Sequence, residues 1–291
     1  MDFVIMDLEW NGTYSKHHHH FFSEIIEFGA VKCDANLNVI DEFSMLVTPQ
    51  IGKKLNSHVK ELTHISTQEL LDSNNTFTHV LSKFKKFLGD SILVTWGTSD
   101  ILVLMENCKY YLNRNDIDFV KFYCNLQAYS EKKLDKVDTA HQMGLKTCAD
   151  LLSVEYDDKE LHRALSDSKL TAMCFKRVFD PVKLPKYIES VDDEFYRKIS
   201  FKNTQIYDFN SPLIDKREMY FLCEKCGRKA RRKTKWKVKN RSFRAEFRCL
   251  KCKNEFEGRI SFKQTYDGIK IDKRISDIKD KTDKNNDRQE E

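Results

Sequence analysis

The sequence predicts a three-layer α/β domain with a mixed sheet, followed by a small β-rich module. Three observations carry that prediction. Closely spaced strand-type runs come first and helical patterns are interleaved after them. A long helical pattern is stopped by Pro181 and Pro185. Two Cys-x-x-Cys pairs then lie in a stretch whose charge differs sharply from what precedes it.

Taken in order, Phe3-Val4-Ile5-Met6 is an apolar run of strand type that ends in Asp7-Leu8-Glu9. Glu24 to Lys32 is a second run. Val39 to Val47 is a third, after the turn-like Asp34-Ala35-Asn36, so the sheet should open antiparallel. A helix is predicted over 66–71 behind a Ser/Thr cap. Another over 78–88 places Val80, Leu81, Phe84 and Leu88 on one face. Ser91 to Trp96 reads as a buried strand, and Gly97-Thr98-Ser99 supplies the turn and cap for a helix from about Asp100 to Leu112. Two further helices are predicted over 129–143 and 161–178. The domain map is therefore 1–182 for the α/β body, 183–215 for a packing linker, 216–262 for the small module and 263–291 for a charged, disordered tail.

The 291 residues suffice for one sizeable core plus a smaller one. A charged fraction of 33% and a mean hydropathy of −0.60 point to a water-soluble chain, without apolar runs of the ~18–20 residues that span a bilayer. The acidic first ten residues lack the basic start of a signal peptide, which predicts a cytoplasmic location and no membrane partner. The net charge of +5 hides an asymmetry: residues 1–215 carry −7 and 216–260 carry +12. An acidic body suits divalent cations, and a concentrated basic module suits a polyanion.

Asp7 and Glu9 stand two apart on a strand and so leave one face of the sheet. Paired carboxylates without a base are costly unless a cation sits between them, and hard oxygen ligands select Mg²⁺ or Mn²⁺. Such a pair alone is more often a solvated strand end. Asp100, where a buried strand turns into a helix, and His162 with Asp167, five residues apart ahead of a long helical pattern, complete an ordered set.

That set resembles the DEDDh exonuclease superfamily, whose motifs DxE, Asp and HxxxxD match Asp7-Leu8-Glu9, Asp100 and His162 to Asp167 over about residues 2–180. The segments Ser23-Glu24-Ile25-Ile26-Glu27-Phe28-Gly29, Leu62-Thr63-His64-Ile65-Ser66 and Ser166-Asp167-Ser168-Lys169 are similar to the KapD-like and ERI-type branch, which trims RNA 3′ ends. The resemblance implies a ribonuclease-H-like fold and a 3′→5′ exonuclease with two Mg²⁺ or Mn²⁺ ions. Asp7, Glu9 and Asp167 would hold the first ion, Asp7 would reach the second, and Asp100 would act through its water shell. His162 would accept the proton of the attacking water. The family's usual small residue and Thr-Gly after DxE are replaced by Trp10-Asn11-Gly12-Thr13, where Trp10 is expected to pack in the core rather than stack on a base. His17 to His20, in the loop between the first two strands, read as a solvated loop.

Five of the nine cysteines are scattered singly, which suits reduced, buried thiols. The other four, Cys223, Cys226, Cys249 and Cys252, form two knuckles separated by 22 residues, which predicts one structural Zn²⁺ in a zinc ribbon. Between and beside them, Arg231, Arg232, Lys233, Lys235, Lys237, Lys239 and Arg244 are interleaved with Trp236, a pattern for phosphates and stacked bases. The predicted partner is a nucleic acid with a free 3′ end, RNA ahead of DNA. The rival readings are a DNA-directed proofreading-type exonuclease, a non-catalytic binding protein, and a ribbon that recruits a protein partner.

Overall fold

The computed structural model describes every residue except 17–18, 53, 137–141, 159–160 and 279–291. His17, His18 and His141 thus lie outside the described residues, as do the end of the helix predicted over 129–143 and the last part of the tail. The chain forms two compact units, Met1–Ser200 and Phe201–Glu291. Among the described residues no helix is long and apolar enough to cross a membrane.

The first unit is built on a six-stranded sheet. Its strands are β1 (Phe3–Ser15), β2 (His20–Cys33), β3 (Val39–Leu46), β4 (Ile92–Thr95), β5 (Phe122–Asn125) and β6 (Ile188–Ser190), in the order β3-β2-β1-β4-β5-β6. The first three are antiparallel, β1, β4 and β5 are parallel, and β6 returns antiparallel, giving the mixed sheet expected. Alternation along β1 feeds two cores. Val4, Met6 and Leu8 join Phe77, Val80, Leu81 and Phe84 of α3 (Phe77–Leu88) and Ile101 and Leu104 of α4 (Ser99–Leu112). Phe3 and Ile5 join Leu126 and Tyr129 of α5 (Leu126–Lys133) and Ala172, Phe175 and Val178 of α7 (Ala164–Val178). Helices therefore cover both faces, and the body has three layers.

Several elements depart from the sequence reading. A one-turn-plus helix, α1 (Ser57–Thr63), precedes α2 (Thr67–Ser73), whose Ser66 and Glu69 form a complete capping box. The helix expected to reach Met143 is α5 and ends at Lys133, and a separate α6 spans Leu145–Leu151. The segment expected as a linker is divided. Residues 188–199 add β6 and α8 (Asp193–Ile199) to the first unit, where Phe195 enters the core, while Ile206 and Ile214 enter the core of the second.

The second unit carries β7 (Thr204–Gln205), β8 (Arg231–Arg232), β9 (Lys237–Lys239), β10 (Ser242–Arg248), β11 (Glu255–Thr265) and β12 (Gly268–Ser276). β12 pairs with β11 along its whole length. The expectation of disorder from residue 263 onward is thus corrected for 263–276. There Ile269, Ile271 and Ile275 alternate with charged residues and pack on a core of Phe221, Phe243, Phe247, Phe256 and Phe262.

Candidate active site and zinc knuckles

Two local devices put the carboxylates on one sheet edge. β1 and β4 run parallel, so Asp7 and the turn after β4 lie at the same carboxyl end of the sheet. That turn is held by Thr95 and Tyr123, whose hydroxyls both donate to the Gly97 carbonyl at 2.6 and 2.7 Å, and Gly97 takes φ +86°. Asp100 follows in the first turn of α4, 4% exposed, and its Oδ1 accepts the Leu8 backbone N–H at 3.1 Å.

The second device docks α7. Asp7 lies opposite Gly29, and Glu9 opposite Glu27, in the antiparallel register of β1 and β2. Gly29 is the contact point: a Cβ there would sit 2.0 Å from the Ala164 carbonyl carbon. Ser168 Oγ donates to the Gly29 carbonyl at 3.0 Å. Glu27, 1% exposed, accepts three guanidinium contacts from Arg163 at 2.7–3.2 Å and the Ala164 N–H at 3.1 Å. The helix N-terminus is thereby seated on β2, one turn before Asp167.

The outcome is a half-buried cluster in which carboxylate oxygens of Asp7, Glu9 and Asp167 all lie within 4.8 Å of one another. Burial, reinforced by the charges of Asp100, Asp167, Glu9 and Glu27, pushes the Asp7 carboxyl well above its ordinary range. Burial and the Asp167 charge raise Glu9 to about 8, although Arg163 acts the other way. Burial raises Asp100 to about 7 against the Leu8 N–H, and also raises Asp167, with the His162 charge opposing. Among the described residues no ion pair holds Asp7, Glu9 or Asp167, and a divalent cation fits the donor set. Asp100 stands beside the three, with one oxygen committed to Leu8.

A cavity of about 380 Å³ opens on this cluster. Asp7, Glu9, Asp100 and Asp167 line it, along with apolar Trp10, Val59, Leu62, Trp96 and Leu145. Trp10 both packs on the core and faces the cavity, so it is not confined to the interior. His162 is not among the lining residues. It precedes α7 in a left-handed conformation, φ +66°, and donates its backbone N–H to Asp167 Oδ2 at 3.2 Å. Sequence reasoning missed Gly29, Glu27 and Arg163 as the seat of α7, and α1 as a cavity wall. Gly29 and Glu27 stood only within a segment of family resemblance, without a role, and their partners are 135 residues or more away.

In the second unit the sulfurs of Cys223, Cys226, Cys249 and Cys252 lie within 4.8 Å of one another. The knuckles are built alike. Cys223 N–H donates to the Arg228 carbonyl and Cys249 N–H to that of Asn254, each at 2.8 Å. The residue after each second cysteine is left-handed: Gly227 at φ +69° and Lys253 at +61°. Backbone N–H of Cys252, with help from other donors around the sulfur, lowers Cys249 to about 6. Four thiols at this spacing fit a tetrahedral thiolate site for Zn²⁺.

The basic residues divide. Arg231, Arg232, Lys235, Lys237 and Lys239 are exposed. Among the described residues no ion pair holds Arg231, Lys235, Lys237 or Lys239, whereas Arg232 lies over the Trp236 ring at 5.6 Å. Lys233 is paired with Glu255 at 2.7 Å, and Arg244 with Glu257 at 3.0 Å. Trp236 packs against Phe221 and Phe247 and serves the module's core.

Residues 4–175 match the exonuclease family RNase_T. The probable 3′-5′ exonuclease KapD of Bacillus subtilis is 31% identical over 183 residues, 60% of this chain and 83% of KapD. The PolC-type DNA polymerase III of Clostridium perfringens is 28% identical over 217 residues, 71% of this chain, and the match spans only 13% of the polymerase's length. The nuclease domain of 3′hExo, a DEDDh family member bound to rAMP, superposes with a TM-score of 0.52 at 26% identity, over 60% of this chain and 90% of that domain.

Proposed function

This chain belongs to the RNase_T exonuclease family, and from that premise we propose that it is a divalent-cation-dependent 3′→5′ exonuclease acting on RNA. The observation that carries this reading is the convergence of Asp7, Glu9 and Asp167 within 4.8 Å, beside Asp100, on a cavity that apolar residues also line.

Asp7, Glu9 and Asp167 would hold two Mg²⁺ or Mn²⁺ ions, with Asp100 contributing through water. When bound, such ions supply Lewis-acid activation of water and stabilise the leaving 3′ oxygen. The chain's own groups do the rest. Trp10, Val59, Leu62, Trp96 and Leu145 offer apolar surface to the terminal nucleoside and narrow the access of bulk water. Leu8 N–H fixes the orientation of Asp100. His162, which does not line the cavity but is tied to Asp167 through its backbone, would accept the proton from the attacking water.

We assign one structural Zn²⁺ to the four cysteines, and the exposed cations of β8 and β9, with Lys235 between them, to the phosphate backbone of the substrate. RNA is supported by the resemblance of the 23–29 and 62–66 segments to the RNA-trimming branch and by the rAMP-bound neighbour. A DNA-directed, proofreading-type activity is the second reading, favoured by the PolC-type relative. Matched RNA and DNA strands, labelled at one end and incubated with Mg²⁺ or Mn²⁺, separate the two: faster stepwise loss from RNA 3′ ends supports the first, and faster loss from DNA the second.

A further inference from the structure

We infer that Glu24, which does not line the cavity, is a positioning residue that sets the cavity wall made by α1. The inference rests on the exonuclease reading for what the wall contacts, and on hydrogen bonds alone for the positioning.

Glu24 is 1% exposed on β2. Its two oxygens accept four hydrogen bonds. Three come from consecutive backbone N–H groups: Gln50 at 2.6 Å and Ile51 at 2.8 Å on Oε1, and Gly52 at 2.8 Å on Oε2. The fourth comes from the Tyr111 hydroxyl of α4 at 2.7 Å. Burial and the Glu24 charge hold the Tyr111 phenol above its usual range, so it remains a donor. Three N–H groups in a row converge on an anion only when the backbone curls around it. Residues 50–52, ahead of α1, are therefore shaped by this one side chain.

Asn11, also 1% exposed, fastens the chain nearer to α1. Its Oδ1 accepts the Asn56 N–H at 2.9 Å and its Nδ2 donates to the Lys54 carbonyl at 3.2 Å. Asn56 in turn caps α1 by accepting the His58 N–H at 3.0 Å. Gly52, the last of the three donors to Glu24, lies so close to β1 that a Cβ would meet Thr13 Oγ1 at 3.0 Å. The helix that follows has only seven residues, too short to hold its place by itself. Yet it delivers Val59, Leu62 and Thr63 to the cavity that the carboxylates also line. Glu24 thus governs where the nucleoside rests and leaves the cation cluster to β1 and α7.

The test uses the full chain and two conservative substitutions. Glu24→Gln keeps the volume but sets an NH₂ group against the converging N–H donors, whereas Tyr111→Phe removes one bond and leaves the backbone contacts. Affinity for AMP in saturating Mn²⁺ is measured by calorimetry, and affinity for Mn²⁺ alone is measured by electron paramagnetic resonance. KM and kcat are then measured on an oligonucleotide. Glu24→Gln should weaken AMP and raise KM about tenfold, the equivalent of one lost buried hydrogen bond, with Mn²⁺ affinity and kcat within about twofold. Tyr111→Phe should show the same split, about two- to threefold in size. Unchanged AMP affinity in Glu24→Gln would overturn the inference, and so would an equal loss of Mn²⁺ affinity, which marks a general structural role. A wild-type protein that binds AMP yet shortens no strand would remove the exonuclease reading alone, since the AMP and Mn²⁺ affinities still decide the role of Glu24.

Discussion

Glu27 of β2 and Arg163, the residue that opens α7, are joined by three guanidinium contacts of 2.7–3.2 Å across 136 positions of sequence. Glu27 lies opposite Glu9 in the sheet register, and Asp167 follows Arg163 by one helical turn, so the pair links both sides of the carboxylate cluster. Arg163→Ala leaves Glu27 buried and without its partner. Because Arg163 is itself 38% exposed, the cost is discounted to about 1–2 kcal/mol, readable in denaturant unfolding. Activity should fall more than stability alone explains, since Asp167 loses its fixed position. Unchanged kcat would show that Gly29 and Ser168 seat α7 without help.

Gly29→Ala is the sharper probe of the same seat. Its new Cβ would meet the backbone of Ala164 and Leu165 at 2.0 and 2.1 Å, where no flexible side chain can yield. Overpacking of this kind costs about 1–3 kcal/mol and must push α7 outward. We expect Mn²⁺ affinity to fall at least about tenfold, measured by calorimetry, because each 1.4 kcal/mol lost is a factor of ten.

How much of this was legible in the sequence depends on distance along the chain. Asp7 and Glu9 could be placed on one face because a strand alternates locally, and Asp100 because a strand-to-turn-to-helix pattern is local as well. Gly29 and Glu27 could not be assigned a role, since their partners at 163–168 arrive only after the sheet has formed. α1 escaped notice because Val59 and Leu62 are too few to mark a helical face. β12 was hidden by its charges, although Ile269, Ile271 and Ile275 fall on one face of a period-two pattern that Lys273 interrupts. Trp236 looked like a stacking ring because sequence proximity to cations says nothing about which face of the ribbon it takes.

Cation-free protein should lose stability as pH rises. The raised carboxyls of Glu9, to about 8, and Asp100, to about 7, bind protons more tightly folded than unfolded. Their contribution is whole below the unfolded values near 4 and is lost as pH climbs through 7 and 8. Thermal melts in a chelator too weak to displace thiolate-bound zinc should therefore show Tm falling between pH 5 and 8. Added Mn²⁺ should remove or reverse that fall, as should Asp7→Asn in part, by taking one charge from the cluster. A Tm that rises with pH in chelator would contradict the repulsion described.

The basic ribbon should govern salt dependence. Reversing Lys235, Lys237 and Lys239 to Glu is expected to weaken binding of single-stranded RNA and to flatten the log–log salt slope by about 2 or more. Cys249→Ser should release zinc, one ion per chain by elemental analysis, and unfold the second unit. Binding unaltered by the charge reversal would assign the ribbon to a protein partner instead.

RNA labelled at its 3′ or 5′ end and followed with Mn²⁺ present, for the wild type and for Asp7→Ala, reads both the direction of hydrolysis and its dependence on the carboxylate cluster. The 3′ label should leave at once as a mononucleotide, and the 5′ label should give a descending ladder. In Asp7→Ala both should slow by at least about a hundredfold. Undiminished activity in Asp7→Ala, or shortening that begins at the 5′ end, would contradict the proposed 3′→5′ exonuclease.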